Sequence, residues 1–168
     1  MLIYHPAFDM HHCIFRILRL LTNMPVESYE VDKVRILDFY LLFPEYIQQV
    51  IFPKEGVRFK KLLPQTINPY DKLENPRRIL ARLEPFQSLA LNCLASYGLI
   101  DAILLAQGEV RKTQKQIPQE LALAIDEANV RDNAVIGFLT GPFAQLGLYG
   151  PKGLKYRSFL LEYRYDPV

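Results

Sequence analysis

The chain has no tryptophan, only two cysteines and a net charge of just +2 at pH 7 over 168 residues. So small a net charge argues against a protein that wraps phosphate backbone, because such proteins are usually strongly basic. Any contact with DNA must therefore come from a local basic patch. Cys13 and Cys93 lack CxxC spacing and lie in apolar surroundings, so we interpret them as reduced core thiols. Reduced thiols suit the cytoplasm.

Signals for membrane insertion or export are also missing. No stretch approaches the roughly 20 consecutive apolar residues that a membrane-spanning helix requires. The N-terminal sequence MLIYHPAFDMHHC has no basic leader followed by an uninterrupted apolar core. We therefore expect a cytoplasmic chain with no membrane partner.

Motifs of known active sites are absent as well. The sequence contains no GxxxxGK[ST], GxGxxG, HExxH or GxSxG pattern. His11, His12 and Cys13 suggest a metal site together with His5, but adjacent helical residues point about 100° apart and cannot both face one ion with relaxed geometry. We predict no enzyme activity, no cofactor and no metal site.

Most of the sequence has the periodicity of amphipathic helices. The length of the chain suits a single domain. Residues 7–23 place an apolar stripe on one side and Asp9, His12, Arg16 and Arg19 on the other. Asn75 is predicted to cap a helix that has Pro76 at its first position. A further helix is expected to begin at Pro85 and to end at Gly98. Other helices are predicted up to Phe43 and over 45–50, 117–129 and 133–139.

Two segments favour strands. Residues 99–106 and 109–114 are joined through Gly108, which suits a tight hairpin after the helix that ends at Gly98. That order is typical of a winged helix. The tail SFLLEYRYDPV alternates with the period of a half-buried strand. The prediction is a single α+β domain, mostly helical, with a winged-helix-like core at about 29–116, an N-terminal helix and a C-terminal strand or hairpin.

One very apolar helix, VDKVRILDFYLLFP, carries Asp32, Arg35 and Asp38 along one edge. We interpret Arg35 and Asp38 as a pair at the seam beside this helix, where they fix how the N-terminal helix or a partner docks. The alternative is an internal ion pair without a partner, which would favour one arrangement more than it stabilises the fold.

Two basic groups are candidates for contact with the backbone of double-stranded DNA. Such contacts would be weak, salt-sensitive and independent of sequence. A solvated basic surface is the ordinary alternative. Base reading is not favoured, because the helix before Gly98 offers few polar side chains and no Arg or Lys. The candidates are Arg77, Arg78 and Arg82, and Arg111, Lys112 and Lys115.

Four tyrosines near the C-terminus are candidates for a partner interface, since tyrosine combines a large rigid face with a polar tip. Burial in the core is the alternative. These residues are Tyr149, Tyr156, Tyr163 and Tyr165.

Three stretches carry a family resemblance: YHPAFDMHHCIFRILRLL, VDKVRILDFYLLFP and GLKYRSFLLEYRYD. Together they resemble the middle components of bacterial ABC three-component systems, which include the Lamassu LmuC subunits. The resemblance implies a non-catalytic, winged-helix-like accessory subunit that joins an SMC-like ABC ATPase to an effector, such as a nuclease, in antiphage defence. A winged-helix transcription regulator that binds DNA as a homodimer is the alternative.

Overall fold

The computed structural model describes residues 5–70 and 72–166, and its fold is mostly helical, as predicted. Within these residues, two-residue strands β1 (Tyr29–Glu30) and β2 (Glu109–Val110) pair antiparallel. Short 3-10 helices cover Pro6–Phe8, Pro44–Gln49 and Lys54–Gly56. The α-helices are α1 (Met10–Asn23), α2 (Val31–Leu42), α3 (Val57–Lys60), α4 (Pro76–Ser96), α5 (Ala102–Ala106), α6 (Gln119–Arg131), α7 (Asn133–Phe138) and α8 (Leu154–Ser158).

Helix α1 lies at the centre of the fold. It begins after Asp9, whose carboxylate accepts a hydrogen bond from the backbone N–H of His12 at 3.0 Å. It then packs against α4, α2, α6 and α7, so it is covered on most sides. The predicted apolar stripe is buried, but Arg16 and Arg19 from the opposite side are buried too. Each guanidinium tolerates this position because a carboxylate binds it.

Helix α4 confirms both predicted caps and corrects one prediction. The Asn75 side chain accepts a hydrogen bond from the backbone N–H of Arg78 at 3.1 Å, and Gly98 has the left-handed φ of +73°. However, no new helix begins at Pro85, because α4 continues through it as one helix of 21 residues. Ala81 and Pro85 are both exposed, so the Ala81 carbonyl that Pro85 leaves without a helical partner can bond to water.

The predicted hairpin after Gly98 is only partly present. Residues 99–101 do run antiparallel to 111–113, through an Ile100–Lys112 bridge and a 2.9 Å hydrogen bond from Asp101 N–H to the Arg111 carbonyl. Between them, though, lies α5 rather than a strand. The Asp101 carboxylate accepts from the N–H groups of Ile103 and Leu104 and so starts this helix. The winged-helix core at 29–116 stays a prediction.

The predicted C-terminal strand is wrong over the described residues of the tail. Helix α8 ends at Ser158, and Phe159 then adopts a left-handed conformation with φ +57°, which interrupts any extended chain. The Glu162 carboxylate next accepts from the N–H groups of Tyr163 and Arg164, as in a turn. Residues 167–168 of the predicted strand lie outside the described residues.

Candidate interaction surfaces

A buried charge cluster joins α1, α2 and α4. Asp38 is 0% exposed and receives two hydrogen bonds from Arg16, at 2.6 and 3.1 Å, and one from the Gln87 amide at 2.8 Å. Burial, with a smaller contribution from the nearby charge of Asp38, raises the pKa of the Cys13 thiol to about 12. The cluster therefore fixes the packing of three helices and leaves Cys13 protonated.

Arg35 belongs to the same cluster but does not pair with Asp38, so that predicted contact is wrong. Its guanidinium donates to Asp32 at 2.8 Å, to Glu84 at 3.1 Å and to the Gln87 side-chain oxygen at 3.1 Å. Gln87 thus lies between the two predicted partners. Asp38 instead ties α2 to the N-terminal helix through Arg16, and its burial leaves no surface for a partner protein.

Lys155 connects the rim of this cluster to the C-terminal tail. Its ammonium lies 3.6 Å from Asp32, 3.1 Å from Asp166 and 5.0 Å from the centre of the Tyr149 ring. Burial alone would lower the pKa of Lys155, but the hydrogen bond and charge of Asp166, with help from Asp32, raise it overall. Lys155 is therefore charged and links α2 to the tail through ion pairs.

The segment from Tyr149 to Tyr165 carries what we call the C-terminal aromatic surface. Tyr165 is 90% exposed, Phe159 48% and Tyr149 44%. Tyr156 is half-buried and packs edge-on against Tyr163, with ring centres 5.3 Å apart, and against Phe159 at 5.9 Å. The sequence prediction of four tyrosines missed Phe159, whose left-handed backbone gives no signal in the alternation pattern. The surface comprises Tyr149, Tyr156, Phe159, Tyr163 and Tyr165.

Polar contacts hold this surface against the rest of the chain. Arg77 at the start of α4 pairs with Glu162 at 3.2 Å. Arg157 donates to the Ile51 carbonyl at 2.9 Å, and the Ile51 N–H donates to the Arg157 carbonyl at 3.1 Å. Beside these contacts lies a cavity of about 320 Å³ whose lining includes Phe39, Tyr40, Tyr46, Pro76 and Phe159.

The six candidate DNA contacts do not form one patch. Arg77 lies at the start of α4, whereas Lys115 donates to the Tyr97 carbonyl at its end, 2.5 Å away. Twenty helical residues separate the two ends by about 30 Å. Several of the six are engaged within the chain: Arg77 with Glu162, Arg82 over the Phe8 ring at 4.8 Å and Arg111 with Asp101 at 3.3 Å.

Within the described residues, no group of three or more His, Cys, Asp or Glu side chains is placed to hold a metal ion. None of the helices in that part of the chain combines the length and the apolar character needed to cross a bilayer.

A family model described as ABC-three component (ABC-3C) system Middle Component 5 matches residues 2–166. The chain belongs to this family. The resemblance in the sequence is thereby confirmed, and this Middle Component 5 protein is an accessory subunit of a three-component system. The finer likeness to Lamassu LmuC subunits stays a prediction. Neither the comparison with curated proteins nor the comparison with solved structures found a match.

Proposed function

We propose that this middle component is a non-catalytic bridge between an SMC-like ABC ATPase and an effector nuclease in a cytoplasmic antiphage complex. The C-terminal aromatic surface carries the proposal. Three of its rings, those of Tyr149, Phe159 and Tyr165, are at least 44% exposed, in a segment of fewer than twenty residues. Clustered exposed aromatic rings are a feature of protein interfaces, where burial of their apolar faces supplies binding energy.

The surface is also held in place before any partner binds. The Lys155–Asp32, Arg77–Glu162 and Arg157–Ile51 contacts attach it to α2, α4 and the loop after Val50. Ordering a flexible segment on binding lowers affinity, so a preformed surface binds more tightly for the same contact area. Phe159 adds a left-handed backbone, which is unfavourable for a side chain with a Cβ. Such local strain clusters at functional positions.

Coupling between the two partners follows from their separate contacts with this chain. In the proposal the effector is restrained until the ATPase engages foreign or broken DNA, and the bridge favours one state by binding it more strongly. In this proposal, contact with double-stranded DNA contributes less than the contacts with the two partner proteins. Arg78 is exposed and has no ion-pair partner among the described residues, but its neighbours Arg77 and Arg82 are engaged within the chain.

Co-purification tests the bridge. The genes of the three components are expressed together, with Tyr149→Ser and Tyr165→Ser in this chain, and recovery of the two partners is measured. We expect recovery to fall about tenfold or more, since interface tyrosines are often hot spots. The matched control is Tyr70→Ser, because Tyr70 is 96% exposed and lies outside the aromatic surface. Unchanged recovery with a folded double variant would contradict the proposal.

Two other outcomes would also overturn it. Turnover of a nucleic acid or a small-molecule substrate by the purified chain alone would contradict a non-catalytic role. Footprinting that reveals one palindromic site protected by a homodimer would support a winged-helix regulator instead, with a preference of about 4 kcal/mol or more over random DNA.

A further inference from the structure

A second surface lies at the far end of α4 from the aromatic one. Two adjoining cavities, of about 520 and 270 Å³, open between α1, the end of α4 and the segment from Lys112 into α6. They share Leu18, Leu99, Lys115 and Gln116 as lining residues. We call this pair of cavities the α1–α6 groove.

The floor of the groove is apolar and only partly covered. Helix α1 contributes Ile14 and Leu18, α4 contributes Leu94, and α6 contributes Leu121. Ile14 and Leu121 are half-buried rather than buried, so each keeps apolar surface open to the groove. The smaller cavity has this floor, and the larger one combines Leu21, Leu99 and Ile117 with polar lining residues, so the pair suits neighbouring apolar side chains of an amphipathic segment.

The rim of the groove is positive. Lys112 and Lys115 line it, and none of the described residues that line either cavity is acidic. Lys115 is fixed by its bond to the Tyr97 carbonyl, while Thr113 donates to the Gly98 carbonyl at 2.5 Å. The nearby carboxylate of Asp101 is bound by Arg111 at 3.3 Å. Lys112 has no ion-pair partner among the described residues, so its charge is available to a ligand.

We propose that the α1–α6 groove docks an acidic amphipathic segment of a partner subunit. Apolar side chains of that segment enter the two cavities, and its carboxylates face Lys112 and Lys115. The positive charge of the rim favours a segment with negative charge. The apolar floor argues against nucleic acid, because phosphate groups bind cationic side chains and not leucines. This inference rests on the proposed role as a bridge, and it names the chemistry of one of the two contacts.

The separation of the two surfaces fits this arrangement. Arg77 anchors the tail at the start of α4, and Tyr97 lines the groove just past its end, about 30 Å away along the helix. A partner at one surface therefore leaves the other open. The two contacts can form together.

Photo-cross-linking in the complete complex tests the occupant. A benzophenone amino acid replaces Gln116, which is exposed and lines both cavities, in the complex assembled from the three neighbouring genes. We expect a cross-link to a partner segment in which apolar residues alternate with Asp or Glu. Cross-links only to DNA, to a second copy of this chain or to a segment without acidic residues would overturn the proposal. An assembled complex without any cross-link would overturn it too.

Charge reversal tests the rim. Lys112→Glu with Lys115→Glu is expected to weaken association with the cross-linked partner about tenfold at low salt, mainly through slower association. The matched control is Lys54→Glu with Lys61→Glu, which makes the same charge change at exposed lysines away from the groove. Because Lys115 also bonds to the Tyr97 carbonyl, Lys112→Glu alone and a thermal melt are measured in parallel.

The two proposals fail in different ways. If the groove variants bind both partners as the unchanged chain does, while the aromatic-surface variants lose one, only the groove proposal is wrong. If the unchanged chain binds neither partner, the proposed bridge is wrong. Reversal of the partner's acidic residues to lysine should restore binding to the Lys112→Glu, Lys115→Glu variant.

Discussion

Two arginine–carboxylate pairs in this protein, one buried with two hydrogen bonds and one exposed with a single hydrogen bond, have different roles. Arg16 and Asp38 have side chains 8% and 0% exposed, whereas Arg77 and Glu162 are 53% and 46% exposed. Removing one partner of the buried pair leaves an unpaired charge without water. The exposed pair is screened by solvent. The buried pair therefore stabilises the fold, whereas the exposed pair mainly positions the tail.

The largest expected effect follows from breaking the buried pair. Arg16→Ala leaves the carboxylate of Asp38 in the interior with the Gln87 amide as its remaining strong donor. We expect the free energy of unfolding to fall by about 3–5 kcal/mol. Urea denaturation followed by circular dichroism measures the change.

Arg16→Met combined with Asp38→Leu is the control for this first prediction. It removes both charges and fills similar volume, so it should recover most of the lost stability. A loss below about 1 kcal/mol in the single variant would mean that burial does not separate the two pairs as described.

The next effect concerns the Cys13 thiol beside the buried pair. Because burial raises its pKa to about 12, its thiolate fraction at pH 8 is about a thousandfold lower than that of an unperturbed cysteine. In a Cys93→Ser variant, we expect no alkylation of Cys13 by iodoacetamide until the chain unfolds.

The same shift of the Cys13 pKa predicts the direction of a pH dependence. The folded thiol keeps its proton above pH 8.5, where the unfolded thiol loses it, so the stabilising contribution is complete below that pH. It falls as the pH rises toward about 12. Rapid alkylation of the folded variant at pH 8, or stability that rises with alkali, would contradict this account.

A smaller effect on stability is expected at Phe159, which lies in the same exposed tail as Glu162. Phe159→Gly and Phe159→Ala both remove the ring, but only glycine relieves the left-handed backbone. The glycine variant should be more stable than the alanine variant by about 1 kcal/mol. Thermal melts measure the difference, and both variants should bind the partner less well. Equal melting temperatures would mean that Phe159 is unstrained.

The smallest effect is expected at the exposed pair. The backbone N–H of Arg164 and the side chain of Arg77 lower the pKa of Glu162, so its contribution is present at neutral pH and is lost as the pH falls through that lowered pKa. We expect Glu162→Gln to leave the urea midpoint unchanged within error. The variant should instead speed hydrogen exchange of the tail amides. A marked drop in the urea midpoint would mean that the Arg77–Glu162 pair stabilises the fold as the buried pair does.

Local signals in the sequence were sufficient for much of the fold. The cap at Asn75, the stop at Gly98 and the helices after residue 117 depend on neighbouring residues, and each was predicted correctly. The hairpin is present only in part, and the C-terminal strand is wrong over the described residues. Asp101 starts α5, and Phe159 turns the chain, in places where period-two alternation suggested extended structure.

The charge cluster could be predicted only in part. The edge formed by Asp32, Arg35 and Asp38 was visible in the sequence, but their partners lie far along the chain, as the Arg35–Gln87 and Asp32–Lys155 contacts show. Such pairing depends on how helices pack, which periodicity does not determine. The sequence did offer one hint, a glutamine on the apolar side of α4.

That glutamine limits which residues position 87 can accept. Its amide nitrogen donates to Asp38 while its oxygen accepts from Arg35, so one side chain serves an anion and a cation at once. Glutamate would repel the first and methionine would satisfy neither, and asparagine is one carbon too short. Among homologues, we therefore expect variation at this site only where the charges at 35 and 38 have changed with it.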